Sequence, residues 1–143
     1  MMYKVLPVCD CIVCYCNEKE YFLSNLKLKK LLYFVQAYFL LTKGEPCFAE
    51  KLEAWEFGPV VPEAYREYKR YGGGNIPALY CGRDAESINK EDRKVIESVV
   101  DHFADYSATD LKELTQRQKP WLDAYVPDKQ KEITLNSIRA YFA

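Results

Sequence analysis

Four of the six cysteines lie within the short stretch CDCIVCYC, which runs from Cys9 to Cys16. Thiols at such density suggest three kinds of chemistry: metal binding, disulfide exchange or nucleophilic attack. Zinc requires its sulfur ligands to converge on one point, at about 2.3 Å from each sulfur. Because the spacing C-x-C-x-x-C-x-C lies on one uninterrupted segment, the backbone conformation decides whether the sulfurs can converge.

Hydrophobic periodicity predicts a helix here, and a helix separates the four sulfurs. At about 100° per residue, Cys9 and Cys16 share an apolar face that also carries Val5, Val8, Ile12 and Val13. Cys11 and Cys14 fall on the opposite face, beside Asp10 and Asn17. We therefore expect Cys9 and Cys16 to be small core residues, Cys11 and Cys14 to lie on a more open face, and the segment to bind no metal.

Other catalytic patterns are missing from the sequence. The single histidine, His102, lies at the edge of an apolar helix face, so we expect it to be half-buried and structural. One histidine excludes an HExxH metal site, and no G-x-x-x-x-G-K-[ST] loop is present. Gly72, Gly73 and Gly74 follow a predicted helix, which indicates a flexible break. The sequence thus predicts no catalytic residue, cofactor or metal.

Composition and charge indicate an ordinary globular protein. The chain has 143 residues, with 49% hydrophobic and 29% charged residues, which fits a single domain over residues 1–143. Lys and Arg number 20 against 21 Asp and Glu, so the net charge of −1 favours neither nucleic acid nor a membrane surface as partner. No signal-peptide pattern or apolar run of about 20 residues is present. Six cysteines without a paired framework, Cys47 and Cys81 being isolated, favour a reducing compartment and hence the cytoplasm.

Start and stop signals predict about six helices and a small β element, a mainly α (α+β) fold. The second helix begins at Ser24 or Asn25 and ends at Gly44, with a buried stripe that includes Leu28, Leu31, Leu32, Val35, Tyr38 and Phe39. Residues 47–57 are expected to be extended or a short helix, and Gly58-Pro59 a turn. Further helices are predicted over about 62–71, 90–105, 109–118 and 134–142, with a short turn at Pro120, a strand at 132–133 and an irregular segment at 72–89.

Two groups of side chains stand out on these elements. Basic residues cluster at Lys27, Lys29 and Lys30 and again at Arg66, Lys69 and Arg70. The second cluster is expected to be a solvated face, because Glu63 and Glu67 precede its arginines at helical spacing. An aromatic group, Trp55, Phe57, Tyr65 and Tyr68, surrounds the Gly-Pro pair, and such residues serve both cores and interfaces.

Three stretches together resemble the Panacea antitoxin domain family. LKLKKLLYF at 26–34 matches the family's L-K-L-Q-K-L-L-Y except at Lys29, and EAWEFGPVVPEAY at 53–65 matches A-W-x-x-G-P-V-V-x-x-x-Y. LTQRQKPW at 114–121 departs from T-H-x-E-x-P-W at Gln116 and Gln118. The resemblance implies a compact, mostly helical domain that is encoded beside a toxin in bacterial or phage DNA and neutralises that toxin by direct binding, either alone or by delivering it to a protease.

If the chain is an antitoxin, we expect the toxin to contact the region around the Gly-Pro pair, although the resemblance does not separate core from interface residues. The candidates are Trp55, Phe57, Gly58, Pro59, Val60, Val61, Tyr65, Tyr68, Lys69 and Trp121, with the segment 72–89 as a further contact region. Two alternatives remain open. One is a thiol-dependent enzyme that uses Cys11 or Cys14, and the other is a nucleic-acid-binding regulator that uses Lys27 to Lys30 and Arg66 to Arg70.

Overall fold

The computed structural model describes residues 2–79 and 87–143. It confirms a mainly helical α+β fold, with seven α-helices in the described ranges where about six were expected. The helices are α1 (Val5–Lys19), α2 (Asn25–Lys43), α3 (Pro62–Tyr68), α4 (Lys90–His102), α5 (Ala108–Gln116), α6 (Lys119–Ala124) and α7 (Leu135–Phe142). The strands are β1 (Leu52–Trp55), β2 (Gly58–Val60) and β3 (Glu132–Ile133), and a 3₁₀ turn at Lys69–Tyr71 follows α3.

Helix α2 lies at the centre of the fold. Its first turn is capped by Ser24, whose side chain accepts a hydrogen bond from the Lys27 amide, and it ends at Gly44 in the left-handed conformation (φ 73°). It contacts α4, α5, α7 and the β1–β2 hairpin, so nearly all of its length is buried. Tyr38 is an exception, since 44% of it is exposed. Its assignment to the buried stripe is therefore wrong.

Helix α1 is covered on two sides, by α3 and by α4. Cys9 and Cys16 are buried as expected, but Cys11 (4% exposed) and Asp10 are buried as well. The hydroxyl of Tyr68 donates a hydrogen bond of 2.9 Å to the Asp10 carboxylate. The expected open face at Cys11 is therefore wrong, because periodicity within one helix does not reveal a second neighbouring helix.

The sheet is small and antiparallel, with the order β2-β1-β3. Residues 47–57 were expected to be extended or a short helix, and they contain the strand β1, so the extended alternative is confirmed. The hairpin turn lies at Glu56 and Phe57, whereas Gly58 and Pro59 begin β2, so the expected Gly-Pro turn is displaced by two residues. Proline is tolerated in β2 because that strand is at the edge of the sheet.

Local signals locate most of the remaining elements well. Ser107 forms a capping box with Asp110 at the start of α5, and Thr134 caps α7. The turn expected at Pro120 is the short helix α6. Of the segment 72–89, Ile76 and Ile88 are buried in the core, while residues 80–86 lie outside the described ranges. No helix in the described ranges is long and apolar enough to cross a membrane.

Candidate functional site

The three sequence stretches at 26–34, 53–65 and 114–121 meet where the β1–β2 hairpin packs on α2 and α5. The ammonium group of Lys30, which is 0% exposed, donates a hydrogen bond of 3.1 Å to the carbonyl of Pro59. Lys30 belongs to the first stretch and Pro59 to the second. This contact therefore ties the central helix to the edge strand.

Gly58 makes this close approach possible. Its φ of 110° is one that side-chain-bearing residues rarely adopt. A Cβ added here would lie 2.9 Å from Cε of Lys30 and 3.1 Å from Oγ1 of Thr115. The glycine is thus required both by its backbone conformation and by the space that Lys30 and Thr115 occupy.

The third stretch is held to the other two by side-chain hydrogen bonds. The Trp121 indole donates to the Trp55 carbonyl (2.8 Å), and the Gln116 amide donates to the Glu56 carbonyl (2.7 Å). The Tyr33 hydroxyl donates to Oε1 of Gln118 (2.8 Å). Both glutamines at which the chain departs from the family pattern therefore have structural partners here.

Above this junction lies a surface that we call the aromatic-lysine surface, formed by Lys29, Trp55, Phe57, Tyr65 and Lys112. The Trp55 and Tyr65 rings meet edge to face, with centroids 5.2 Å apart. Phe57, at the hairpin turn, is 53% exposed. A groove of about 430 Å³ on the far side of the turn is also lined by Trp55 and Phe57. An exposed aromatic residue beside a groove is typical of a protein interface.

The basic cluster of Lys27, Lys29 and Lys30 in the first half of α2 is buried, whereas a cluster that binds nucleic acid would have to be exposed to solvent. Lys27 and Lys29 are 6% and 7% exposed. Burial lowers the pKa of both. Burial also lowers the pKa of Lys30 well below its ordinary value, and the positive charges of Lys29 and Lys112 lower it further. Buried amines cannot line a phosphate backbone, so this cluster gives no support to a nucleic-acid regulator.

The candidate interface residues divide by burial. Phe57 and Lys69 are exposed, and Trp55 and Tyr65 are half-buried. The other six have their side chains or backbone inside the chain's own fold: Gly58, Pro59, Val60, Val61, Tyr68 and Trp121. A partner cannot reach these six without displacing the core, so we assign them a structural role and keep the first four as interface candidates.

The four free cysteines in the described ranges lack the properties of a reactive thiol. Cys9, Cys11, Cys16 and Cys47 are free but buried, and Cys14 is disulfide-bonded, so the expectation that it is unpaired is wrong. Burial raises the pKa of Cys11 and of Cys16 to about 12, and it raises those of Cys9 and Cys47 as well. Within the described ranges no cluster of three metal-ligating side chains exists. A thiol nucleophile would need the opposite shift in pKa.

We expect the four free thiols to react with iodoacetamide at least about a hundredfold more slowly in the native protein than in urea, because only the thiolate attacks. Pulse alkylation at pH 8 followed by peptide mapping would give a rate for each of Cys9, Cys11, Cys16 and Cys47. The urea-unfolded chain is the internal control. Alkylation of native Cys11 at the rate of a free cysteine would restore the thiol-enzyme alternative.

His102 is exposed rather than half-buried, and its ring packs against the edge of Phe103 at 4.7 Å. It borders an apolar groove of about 480 Å³ between α2, α4, α5 and α7. The groove also includes the exposed residues Tyr38, Leu41 and Tyr106. Ser98 lines the same groove one helical turn away, but its hydroxyl donates to the Val95 carbonyl (2.7 Å) and no bond joins it to the imidazole in the described ranges, so the arrangement does not indicate general base catalysis.

Sequence reasoning did not single out Lys112. This residue precedes Thr115 by three positions on α5, so the two share a helix face. Its ammonium group lies 5.4 Å from the centre of the Phe57 ring. The sequence offered one signal for Lys112, its helical spacing from Thr115. That spacing does not reveal that the β1–β2 hairpin packs beside Lys112.

Comparisons with known proteins agree with these observations. The family model described as "Antitoxin SocA-like, Panacea domain" matches residues 28–122, which include Lys30, Gly58 and Trp121. A curated relative, Antitoxin SocA of Caulobacter vibrioides (strain NA1000 / CB15N), is 50% identical over 50 residues. That match covers 35% of this chain and 27% of the relative, so the chain matches about a quarter of the relative's length. No solved structure matches the chain.

Proposed function

Since the chain belongs to the SocA-like antitoxin family with a Panacea domain, we propose that it neutralises a protein toxin by binding it directly, without chemistry of its own. The name of its relative, Antitoxin SocA, supports this role. The buried, high-pKa thiols and the exposed, unassisted His102 fit a protein that binds rather than catalyses. The toxin in this proposal is a protein encoded by a neighbouring gene.

The observation that carries the choice of surface is the exposure of Phe57. Its ring is 53% exposed at the hairpin turn, yet the turn is held from below by Gln116 and Trp121 through the carbonyls of Glu56 and Trp55. A rigidly held aromatic side chain binds with little loss of conformational entropy. We therefore take Phe57, with Trp55 and Tyr65 beside it, as the centre of the toxin-binding surface.

Co-expression with the neighbouring gene product tests the proposal. The wild-type chain is expected to rescue growth and to co-purify with that protein. Phe57→Ala is expected to abolish rescue and weaken binding at least about tenfold, because central aromatic anchors contribute about 2 kcal/mol or more to an interface. Its thermal unfolding should remain that of the wild type, since the side chain is outside the core.

Phe22→Ala is the matched control, because Phe22 is equally aromatic and 62% exposed, in the segment between α1 and α2. It should rescue growth fully. Rescue by Phe57→Ala as well would place the interface elsewhere, and a neighbour that is neither toxic nor bound would refute the antitoxin role. The amount of toxin during rescue separates two modes of neutralisation: persistent toxin indicates occlusion, and loss of toxin indicates delivery to a protease.

A further inference from the structure

Three lysines, Lys29, Lys30 and Lys112, lie around the base of the β1–β2 hairpin without a carboxylate partner in the described ranges. Lys30 bonds only to the Pro59 carbonyl. Lys29 lies 4.7 Å from the centre of the Tyr65 ring, and Lys112 lies 5.4 Å from that of Phe57. The charges that act on Lys30 are those of the other two lysines, and both are positive.

Three other lysines in the described ranges are paired with acids. Lys43 pairs with Asp92, Lys119 with Asp123 (2.9 Å) and Lys51 with Glu132 (3.8 Å). Glu53 accepts a hydrogen bond from the Trp55 indole (2.9 Å), and none of the ion pairs in the described ranges joins it to Lys29, Lys30 or Lys112.

The contacts that these lysines make compensate for only a small part of the hydration free energy that their ammonium groups lose on burial. A cation over an aromatic ring gains much less than full hydration of an ammonium group provides. An incoming carboxylate would meet the half-buried Lys112 above the buried Lys29, so part of the desolvation of these cations has already occurred in the free chain. The free protein is thus preorganised for an anion at this place.

We propose that the aromatic-lysine surface binds an acidic segment of the toxin, with a carboxylate recognised by the half-buried Lys112 and an apolar neighbour seated on Phe57. Lys29, which is buried below the surface, adds positive charge without direct contact. This inference rests on the proposed function and specifies the chemistry of the partner at the same surface.

A nucleic acid fits the surface less well than an acidic peptide. Phosphate backbones are bound by rows of accessible cations, and affinity grows with their number. The described part of this surface offers one accessible lysine, Lys112, above the buried Lys29, and the exposed carboxylates of Glu56 and Glu63 flank the same elements, in the hairpin turn and in the first turn of α3. A short segment with one or two carboxylates matches this number of charges.

The test uses the intact chain and synthetic 15-residue peptides that tile the acidic stretches of the neighbouring gene product, together with that whole protein. Wild-type chain is expected to bind one peptide, and the version with Asn and Gln in place of Asp and Glu should bind at least tenfold more weakly. Lys29→Met and Lys112→Met, which keep the apolar stems, should each weaken binding of both probes about tenfold. Both substitutions should also reduce the salt dependence of the binding affinity between 50 and 200 mM.

Lys94→Met is the matched control, since Lys94 is exposed on α4, and it should bind as the wild type does. Lys29→Arg keeps the positive charge, so this variant should retain most of the wild-type affinity. If Lys29→Met does not fold, the half-buried Lys112 carries the test.

Wild-type affinity in both methionine variants, with binding still lost in Phe57→Ala, would overturn this inference and leave the proposed function standing. Equal competition by a single-stranded oligonucleotide would overturn it in favour of a nucleic-acid site. Failure of the wild-type chain to bind the whole protein would refute the proposed function itself.

Discussion

Replacing Gly58 by alanine is expected to lower the free energy of unfolding by about 2 to 4 kcal/mol, as strained backbone and overpacking combine. Alanine at φ 110° is strained wherever it occurs, and here its methyl group would also overlap Cε of Lys30 at 2.9 Å. Relief would require Lys30 to move and so to give up its bond to Pro59. Urea unfolding followed by tryptophan fluorescence measures the change.

Gly73→Ala is the control for this prediction, because an added Cβ there meets no atom within 4 Å. It should shift the free energy of unfolding by less than about 1 kcal/mol. An unchanged urea midpoint for Gly58→Ala would mean that the hairpin does not pack on Lys30 and Thr115 as described. The proposed toxin-binding surface would then lose its rigid base.

Gln36→Leu is expected to destabilise the fold by about 3 to 5 kcal/mol, because it leaves several buried backbone groups without partners. Gln36 is 1% exposed, in the middle of α2. Its Oε1 accepts from the amides of Cys47 (2.8 Å) and Phe48 (3.2 Å), and its Nε2 donates to the Phe48 carbonyl (2.9 Å). These bonds position the segment that leads into β1 and forms a parallel bridge with Tyr3.

The same substitution at Gln116 provides the comparison. Gln116 makes one side-chain bond, to the Glu56 carbonyl, in an exposed setting where water can replace the amide. Gln116→Leu should therefore cost less than about 1 kcal/mol. Equal destabilisation at both positions, measured as urea midpoints, would contradict the view that burial of the bonded groups sets the cost at Gln36.

The family motifs have a clear physical meaning in this chain. Lys30, Gly58 and Trp121 come from separate stretches, and each is engaged at the junction of α2, the hairpin and the α5–α6 region. A sequence that matches the family at these residues therefore shares the fold, whereas the match says less about which partner it binds. The exposed part of the surface, centred on Phe57 and bordered by Lys112, is the part that we propose to contact the toxin.

Local sequence signals determined most of the helices and several of their ends. Helix caps depend on hydrogen bonds and dihedral angles within a few residues, so they can be identified from the sequence without knowledge of the fold. The caps at Ser24, Ser107 and Thr134 and the helix end at Gly44 are of this kind. The motifs at 26–34 and 53–65 likewise identified the family. The buried state of Cys9 and Cys16 followed from helical periodicity alone.

Only the tertiary structure decided which faces are covered and which side chains meet. Cys11 is buried because α4 covers the side of α1 that looked open, and Tyr38 is exposed because the groove between α2, α4, α5 and α7 leaves it uncovered. The basic cluster Lys27, Lys29 and Lys30 is buried under elements that are distant in the chain. Burial and charge pairing depend on contacts between such distant residues, and a linear pattern of residue types does not contain those contacts.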